Sequence, residues 1–375
     1  MVWIFFICLA ILAYTYLGYP VLVWMLARCF GRQPFKEAIT PSVSLLIPSY
    51  NEEIHIEAKI RNSLALDYPR DQLEIVVASD GSTDRTNALA KAASTEGIKL
   101  IAMPENIGKS AMLSKTVPQL KGEIVVFSDT SSELDGQALR LLMRNFADPS
   151  VGCVSGHYRF STAEDLRSHG EGLYWKYETL IKQDESRLHS ILGAHGAFYA
   201  IRKELFYRLH HSTINDDYLI PMRIVEQGFR AVYEPQAHAW EQETASVEGE
   251  FARRRRIAAG NCQQMVELRH MLLPRFGWVS LCFLSHKVLR TLAPLILVGL
   301  TLSSFWLPQP LLSWTIGLQV LLYGSAAVGY FFQRRGKLFR PLSPPLYFCM
   351  GNLAMLAGLA RYCFSRNKSL WERAR

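Results

Sequence analysis

The chain has 375 residues, 49% hydrophobic and 20% charged, which is enough for two average soluble domains or for one larger domain with membrane segments. Its net charge is +8, which suits contact with an anionic membrane leaflet. No stretch interleaves basic and aromatic residues, and this disfavours a nucleic-acid partner. The seven cysteines lack C-x-x-C spacing, which disfavours a zinc or disulfide framework and indicates a reducing compartment.

The first element is the uncharged run VWIFFICLAILAYTYLGYPVLVWMLA, residues 2–27. This run is long enough to cross a bilayer. It is too long for the core of a signal peptide, and it lacks the basic start and the small-residue cleavage site of one. We therefore predict that residues 1–30 are a retained transmembrane anchor.

Strand and helix patterns then alternate through residues 40–150. In chain order they are the strand SVSLLIPS, the helix NEEIHIEAKIRNSLAL with an Asn cap, the strand LEIVVAS, the helix TDRTNALAKAAST, the strand IKLIAMP, the mostly helical KSAMLSKTVPQL, the strand GEIVVFSD and the helix GQALRLLMRNF. Each strand is a continuous apolar run, which is typical of parallel strands covered on both faces. The pattern predicts an α/β fold with a mostly parallel sheet flanked by helices.

Residues 151–265 have a less regular pattern. GLYWKYETLIKQDESRL, DDYLIPMRIVEQG and SVEGEFARRRRIAAGNCQQMVELRHML read as helices, whereas RAVYEP and the start of GAFYAIRKELF read as strands. We assign residues 40–265 to one domain and residues 266–288 to an amphipathic segment at the membrane interface.

Residues 289–364 are predicted to be a C-terminal membrane region with two or three apolar segments. The runs 292–307 and 311–332 are split by PQP, a link suited to a tight hairpin. A third run, 345–364, is weaker because it holds Asn352 and two glycines. Whether this run crosses the membrane is open, because the tail 365–375 is basic and conflicts with a fourth crossing.

Basic residues predict one orientation in the membrane. Arg28 and Arg32 follow the first span, and QRRGKLFR, residues 333–340, follows the third. The positive-inside rule places both segments in the cytosol. The central domain would then be cytosolic.

Acidic residues recur at the carboxyl ends of the predicted strands. They are Asn51-Glu52-Glu53 after the first strand, Asp80 and Asp84 after the second, Asp129 after the fourth, and Asn215-Asp216-Asp217 at the start of a later helix. In open α/β sheets this edge borders the ligand crevice. One such group reads as a turn or cap, but capping does not require acids at every strand end. We predict that the acids at 80, 129 and 217 converge on one cleft.

The segments around these acids resemble the motifs of the membrane-bound family 2 glycosyltransferases. The segments are VSLLIPSYNEE, VVASDGSTDRT, NIGKSAMLSK, VVFSDTSSEL, GAHGAFYAIRKELF, INDDYLIPMRIVEQGFRAVYEP and RRRRIAAGN. Enzymes of this family transfer a sugar from a nucleoside diphosphate to an acceptor, and they include cellulose, hyaluronan and poly-N-acetylglucosamine synthases. The resemblance implies a GT-A-like fold, with a nucleotide-sugar half at 40–150 and an acceptor half at 151–265.

The resemblance also implies roles on the donor side. Asp80 would hold the uracil or ribose of the donor, and Asn51 and Glu52 would face the nucleotide. Asp84 would line the same wall, although its reading as a helix cap stays open. Lys109 would reach the donor phosphates as a point charge.

Asp129 matches the first acid of the family's D-x-D motif. A departing diphosphate carries charge that Mg²⁺ or Mn²⁺ can neutralise, and carboxylate oxygens hold such cations. Ser131 stands where the second acid would be. The metal residues implied are Asp129 and Ser131, with Glu133 or a water as alternatives for completing the shell.

On the acceptor side, Asp217 matches the last acid of the family's TED motif and would be the general base of an inverting transfer. The alternative is that Asp216 and Asp217 only complement a helix N-terminus. The segment GAHGAFYAIR resembles the acceptor-binding motif, with Asp216 beside it. The implied acceptor residues are Gly193, His195, Gly196, Ala197, Phe198 and Asp216, although a structural role is favoured for His195.

Arg256 aligns with the arginine of the Q-x-x-R-W motif and would stabilise the departing diphosphate. Arg253 and Ile257 stand where processive synthases have glutamine and tryptophan, which weakens the case for polymerisation. For Arg254 and Arg255 we favour a solvated or lipid-facing position.

The combined prediction is an inverting glycosyltransferase of the plasma membrane (the inner membrane of a bacterium) with a cytosolic catalytic domain. A UDP-sugar is the favoured donor, and a saccharide or lipid-linked acceptor would be extended in surface polysaccharide or glycolipid synthesis. Membrane lipids and polysaccharide-export or synthase subunits are the candidate partners. Two alternatives stay open: a non-processive transfer of one sugar to a lipid, and a catalytically lapsed scaffold.

Overall fold

The computed structural model of the protein describes residues 2–160, 169–241, 247–335 and 339–364. The predicted basic tail, 365–375, and part of the basic segment 333–340 lie outside these residues. The central element is an eight-stranded sheet with the order β3-β2-β1-β4-β7-β6-β8-β5. Its strands are β1 Val43–Ser49, β2 Leu73–Ser79, β3 Ile98–Ala102, β4 Ile124–Phe127, β5 Ser132–Leu134, β6 Val151–Phe160, β7 Tyr199–Arg202 and β8 Arg230–Glu241.

The first four strands confirm the predicted parallel arrangement. β1 pairs in parallel with both β2 and β4, and β2 pairs in parallel with β3. Every residue of β1 and of β4 is buried. Two-sided burial explains why these strands read as continuous apolar runs.

The other half of the sheet is mixed. β7 runs antiparallel to β4 and to β6, β5 runs antiparallel to β8, and β6 is parallel to β8. β5 and β6 were not predicted. In β6, Gly152 and Gly156 interrupt the apolar pattern. Neighbouring side chains occupy the space of a Cβ at both positions: a Cβ at 152 would lie 2.5 Å from Ile224, and a Cβ at 156 would lie 2.5 Å from Phe198.

Helices cover the sheet and continue into the apolar ends of the chain. They are α1 Val2–Phe30, α2 Ile56–Leu64, α3 Thr86–Ala92, α4 Lys109–Thr116, α5 Ala138–Met143, α6 His169–Leu188, α7 Asp216–Glu226, α8 Val247–Glu267, α9 Trp278–Ser304, α10 Leu311–Arg334 and α11 Ser343–Phe364.

The predicted Asn cap of α2 is wrong. The helix begins at Ile56, and Asn51 adopts a left-handed conformation with φ of 54° in the preceding loop. Asparagine tolerates this conformation better than most residues. The side-chain oxygen of Asn51 accepts a hydrogen bond from the Thr83 N–H at 2.8 Å, so the residue joins the loops after β1 and β2 instead.

Of the helices that the structure describes, three are long enough and apolar enough to cross a membrane: α1, α9 and α10. α1 and α9 pack antiparallel, because Tyr14 and Ser285 share a hydrogen bond of 2.8 Å near one end and Cys8 lies beside Gly299 near the other. The rings of Phe30 and Trp278 lie 5.6 Å apart. The chain therefore leaves α1 and enters α9 on the same side, the side of the central domain.

The remaining apolar run, 345–364, lies in α11 and packs along α8 of the central domain. A Cβ at Gly358 would lie 2.4 Å from the Cβ of Ala258, so the two helices approach closely. α11 thus covers a helix of the central domain. The segment 266–288 differs from the prediction, because Arg269–Leu272 and Pro274–Phe276 are short 3₁₀ turns and the rest, from Trp278, is the start of α9.

Candidate active site

A cavity of about 760 Å³ opens at the carboxyl ends of β1 and β4 and extends between α7, α8 and the membrane-proximal helices. Its lining contains most of the residues that the sequence singled out. They are Glu52, Lys109, Asp129, Ser131, His195, Gly196, Ala197, Asp216, Asp217 and Arg256.

Gly196 is the point where two of the predicted acids meet. A Cβ on this residue would lie 3.1 Å from Oδ2 of Asp217 and 3.5 Å from Oδ2 of Asp129. The Gly196 N–H also donates a hydrogen bond to the same Asp217 oxygen at 3.1 Å. A carboxylate that follows β4 and one from α7, distant along the chain, therefore face the same small space.

Lys109, the first residue of α4, joins the acids of both halves. Its Nζ lies 3.2 Å from Oδ1 of Asp129 and 3.5 Å from Oδ2 of Asp216. Burial would lower the pKa of Lys109, but the charges of Asp129, Asp216 and Asp217 outweigh it and raise the pKa. Lys109 is therefore a fixed positive charge at the centre of the acidic cluster.

Asp217 has a pKa suited to proton transfer near neutral pH. Burial and the neighbouring charge of Asp216 raise its pKa from 3.8 to about 6, and Lys109 opposes part of that rise. A carboxylate with this pKa is unprotonated at neutral pH and is a stronger base than an ordinary aspartate.

Asp80, Asp84 and Asn51 do not line the cavity. Asp80 is fully buried, and its two oxygens accept hydrogen bonds from the N–H groups of Ile107 and Gly108, each at 2.9 Å. Burial raises its pKa, although these hydrogen bonds oppose the rise. Asp80 therefore shapes the turn that presents Lys109.

Asp84 holds two loops together. Its carboxylate accepts hydrogen bonds from the N–H of Glu53 at 3.0 Å and from the N–H of Thr86 at 2.9 Å. The bond to Thr86, the first residue of α3, places Asp84 directly before the N-cap residue, Arg85, which makes no side-chain cap of its own. Of the residues predicted on the donor side, Glu52 and Lys109 line the cavity, whereas Asn51, Asp80 and Asp84 do not.

Ser131 contacts an acid that the sequence analysis missed. Its hydroxyl donates a hydrogen bond to Oε1 of Glu241 at 2.7 Å, and the Tyr158 hydroxyl donates to Oε2 at 2.6 Å. Glu241 ends β8 and lines the cavity with Asp129. A second carboxylate therefore lies at the D-x-S motif, whereas Glu133, the other acid considered for the shell, does not line the cavity.

Lys59 of α2 is a second residue that the sequence analysis missed. Its Nζ donates to the hydroxyl of Ser128 at 2.6 Å and to the carbonyl of Ser132 at 2.7 Å, so it joins the residues that flank Asp129. Burial lowers its pKa to about 7. The signal was present in the sequence, because Lys59 falls on the apolar stripe of α2 with Ile56 and Ile60.

The GAHGAF segment divides between cavity and core. Gly193 has φ of 90°, and a Cβ there would lie 2.5 Å from Tyr218, so glycine is required for packing. Phe198 is 1% exposed in the core and does not line the cavity, so the expectation that it contacts an acceptor is wrong. Its side chain fills the space opposite Gly156.

His195 belongs to an aromatic cluster at the cavity wall. Its ring stacks on Tyr158 with centroids 4.0 Å apart, and the Trp175 ring lies 5.2 Å away. Burial and the charge of Lys182 hold its pKa well below the usual range. His195 is therefore a neutral packing element of the wall.

The arginines of α8 differ in position. Arg255 is exposed and Arg256 lines the cavity, where burial and Arg253 lower its pKa. The expectation for Arg254 is wrong: it lines the cavity, and its guanidinium lies 5.4 Å from the centroid of the Tyr347 ring. The reason is α11, which covers this face of α8.

The site can now be compared with known proteins. Residues 41–260 match the profile of the "Glycosyltransferase like family 2". The chain is 29% identical over 245 residues to the probable glycosyltransferase YdaM of Bacillus subtilis (strain 168), covering 61% of this chain and 57% of that protein. It is 26% identical over 226 residues to the poly-beta-1,6-N-acetyl-D-glucosamine synthase of Staphylococcus aureus (strain COL), covering 58% and 54%. The chain thus matches little more than half the length of these relatives.

Among solved structures, the mannosyltransferase PcManGT from Pyrobaculum calidifontis, in complex with GDP-Man and Mn²⁺, superposes with a TM-score of 0.75. The alignment covers 97% of this chain and all of that one at 22% identity, and it confirms the predicted GT-A-like fold. The match of the family profile covers more than half of the chain. The protein is a glycosyltransferase and belongs to the glycosyltransferase-like family 2.

Proposed function

We propose that this protein transfers a sugar, with inversion, from a nucleotide-sugar to an acceptor that approaches from the membrane side of the cavity. The observation that carries the proposal is the meeting of Asp129 and Asp217 at Gly196. One acid lies on the half of the domain assigned to the donor and the other opens α7 on the acceptor half. Their shared space accommodates the anomeric carbon between a base and a leaving group.

In this mechanism Asp217 takes the proton from the attacking acceptor group. The oxygen of that group forms the new bond to the anomeric carbon while the bond to the donor phosphate breaks on the opposite face, which inverts the centre. Lys109 and Arg256 are positively charged and line the same cavity, so they would stabilise the negative charge that develops on the departing diphosphate.

A divalent cation fits the oxygen-rich site around Asp129. Asp129 and Glu241 supply carboxylates and Ser131 supplies a hydroxyl, the hard ligands that Mg²⁺ and Mn²⁺ prefer. Within the described part of the chain, no three His, Cys, Asp or Glu residues are placed to hold a metal ion by themselves. The donor diphosphate would therefore complete the shell, and the cation would neutralise charge on the leaving group.

The proposed donor is a UDP-sugar, as the sequence predicted, and a GDP-sugar is the principal comparison because the structural neighbour binds GDP-Man. The proposed location is the plasma membrane with the domain in the cytosol. The direct test is a screen of the purified full-length chain against UDP-, GDP- and dTDP-sugars with Mn²⁺, with Mg²⁺ and with EDTA. We expect turnover of donors that carry one of the three nucleobases and a loss of that turnover in EDTA. No turnover of any donor would contradict the proposal.

Activity should depend on pH through Asp217. The base works only when unprotonated, and its raised pKa places protonation near pH 6 and not near 3.8. We therefore expect kcat/KM to fall about tenfold for each pH unit below about 6. Asp216→Asn removes a charge that raises this pKa, so the acidic limb should move to lower pH. A pH–rate profile of the wild type and of Asp216→Asn measures this shift. If the acidic limb stays at the same pH in the variant, the limb does not report the protonation of Asp217.

Gly196→Ala should lower activity without lowering stability. The added methyl group would lie 3.1 Å from the Asp217 carboxylate and must displace it by a few tenths of an ångström. Because small displacements of catalytic groups are costly, we expect a loss of about tenfold in kcat. Gly136→Ala, where a Cβ meets nothing within 4 Å, is the matched control. Equal kcat in Gly196→Ala and Gly136→Ala would show that the added methyl group at 196 does not disturb the Asp217 carboxylate.

A further inference from the structure

The cavity has an arm that extends from Asp217 toward the membrane helices. We call it the membrane-proximal arm and define it by Tyr16 of α1, Lys182 of α6, Lys287 and Arg290 of α9, and Phe348 and Met355 of α11. α1 and α9 are candidate membrane spans. The arm therefore joins the base to a region that lipid chains can reach.

Lys182 and Lys287 are the unusual residues of this arm. Both line the cavity, yet neither ammonium group has a hydrogen-bond acceptor or an ion-pair partner among the residues that the structure describes. Lys287 lies 4.9 Å from the centroid of the Tyr218 ring. Burial lowers the pKa of Lys182, as expected for an ammonium group that has left water without gaining a close partner.

The two buried acids nearby contact groups other than the two lysines, and Oε2 of Glu185 has no hydrogen-bond partner among the described residues. Glu178 forms an ion pair with Arg290, and its Oε2 lies 3.3 Å from Nε2 of His286. Glu185 contacts Nδ1 of His286 at 2.7 Å and accepts a hydrogen bond from the Tyr19 hydroxyl at 2.6 Å. Glu178 therefore holds Arg290, whereas Lys182 and Lys287 have no such partner among the described residues. Because a buried ammonium group without a hydrogen-bond acceptor is costly, these two lysines would gain from binding an anion.

The position of the lysines separates this anion from the donor diphosphate. Glu178, one helical turn before Lys182, contacts His286 and Arg290 of α9, and Lys287 follows His286 in the same helix. Lys109 is the lysine that contacts Asp129 of the D-x-S motif. An anion held by Lys182 and Lys287 would therefore belong to the acceptor.

We propose that the membrane-proximal arm binds the phosphate of a lipid monophosphate acceptor, with Lys182 and Lys287 as its phosphate ligands. This inference rests on the proposed function. In the transfer, the phosphate hydroxyl gives its proton to Asp217, and its oxygen forms a bond to the anomeric carbon of the donor sugar. The bond from that carbon to the β-phosphate oxygen breaks, and the products are a lipid phosphodiester of the sugar and the nucleoside diphosphate.

The binding test uses phytanyl phosphate and phytanol, which share one lipid chain and differ only in the phosphate. Each is titrated into the full-length protein in nanodiscs of neutral lipid. We expect saturable binding of phytanyl phosphate only, weakened about tenfold or more by Lys182→Met and by Lys287→Met. Lys182→Arg should recover most of the affinity, and Lys91→Met, at an exposed lysine of α3, should bind like the wild type.

Three results would overturn the inference. One is equal binding of phytanyl phosphate and phytanol. Another is unchanged lipid-phosphate affinity in both methionine variants that still fold, as judged by gel filtration and thermal unfolding. The third is a loss of UDP or GDP affinity in Lys182→Met with lipid-phosphate affinity retained, which would assign the lysine to the donor.

The activity assay separates failure of this inference from failure of the proposed function. With the donor found in the screen, phytanyl phosphate should become glycosylated by the wild type, and the KM for the lipid should rise in Lys182→Met while the KM for the donor stays constant. Donor turnover with transfer only to saccharides or to diacylglycerol would overturn the lipid-phosphate acceptor and leave the glycosyltransferase assignment intact.

Discussion

Replacing Asp217 with asparagine is expected to lower kcat by about 10³-fold, within the range that a positioned general base contributes. Asparagine has nearly the same shape and can keep the hydrogen bond from the Gly196 N–H, which is 3.1 Å long in the wild type. It cannot accept the proton of the acceptor. The loss should therefore fall on kcat, while the affinity for the donor, measured by titration with the nucleoside diphosphate, should change little.

The matched control for this variant is Asp71→Asn, at an exposed aspartate remote from the cavity. Both proteins should have the same thermal unfolding temperature in detergent. A variant at 217 that turns over acceptor at the wild-type rate would reject Asp217 as the base, and Asp216 would then be examined in its place. A variant that loses donor affinity as well as kcat would indicate that the carboxylate orders the site instead of accepting a proton.

The sequence alone predicts the strands of the first half of the sheet, and it also predicts the acids that follow them. β1 and β4 are buried on both faces, so their residues are continuously apolar, and the polar residues at their ends stand out. Asp129 could be found for this reason. Asp216 and Asp217 both lie in the first turn of a helix, so their local patterns are the same. Only the resemblance to the family motif singled out Asp217.

The residues that were missed are those whose role depends on contacts between distant segments. Glu241 ends a twelve-residue strand that pairs with β5 and β6, and nothing in HAWE indicates that it will face Ser131. Lys182 resembles a lysine on the exposed face of an amphipathic helix until α9 and α11 cover it. Such residues acquire their surroundings only from tertiary packing, which a local pattern does not encode.

The structure also explains an apparent defect of the sequence. Ser131 stands where the second acid of the D-x-D motif would be, and a missing metal ligand would favour the alternative of a lapsed scaffold. A carboxylate from β8 lies 2.7 Å from that hydroxyl, so the site has two acids, Asp129 after β4 and Glu241 at the end of β8. The substitution at 131 is therefore compatible with an intact metal site, and catalytic loss need not be inferred from it.

The second large effect is expected at this metal site. Asp129→Asn should weaken binding of Mn²⁺ in the presence of the nucleoside diphosphate by at least about tenfold and lower kcat by about 10²-fold or more, because a carboxylate ligand is lost and leaving-group charge is less well neutralised. Glu241→Gln should weaken the same affinity by about tenfold. Titration of the Mn²⁺ electron paramagnetic resonance signal measures the affinity without any turnover.

A reciprocal pair of substitutions tests whether Glu241 supplies the second acid. In Ser131→Asp a carboxylate would replace the hydroxyl that lies 2.7 Å from Oε1 of Glu241, and two like charges in contact cannot both ionise at neutral pH without a cation between them. We expect this variant to bind Mn²⁺ no more tightly than Glu241→Gln at pH 6 and to recover as pH rises. The double variant, Ser131→Asp with Glu241→Gln, moves the acid from β8 to the D-x-D position and should bind Mn²⁺ as the wild type does. If the double variant binds as weakly as Glu241→Gln alone, the two positions do not exchange the same ligand, and Glu241 acts on the metal site only through its hydrogen bond to Ser131.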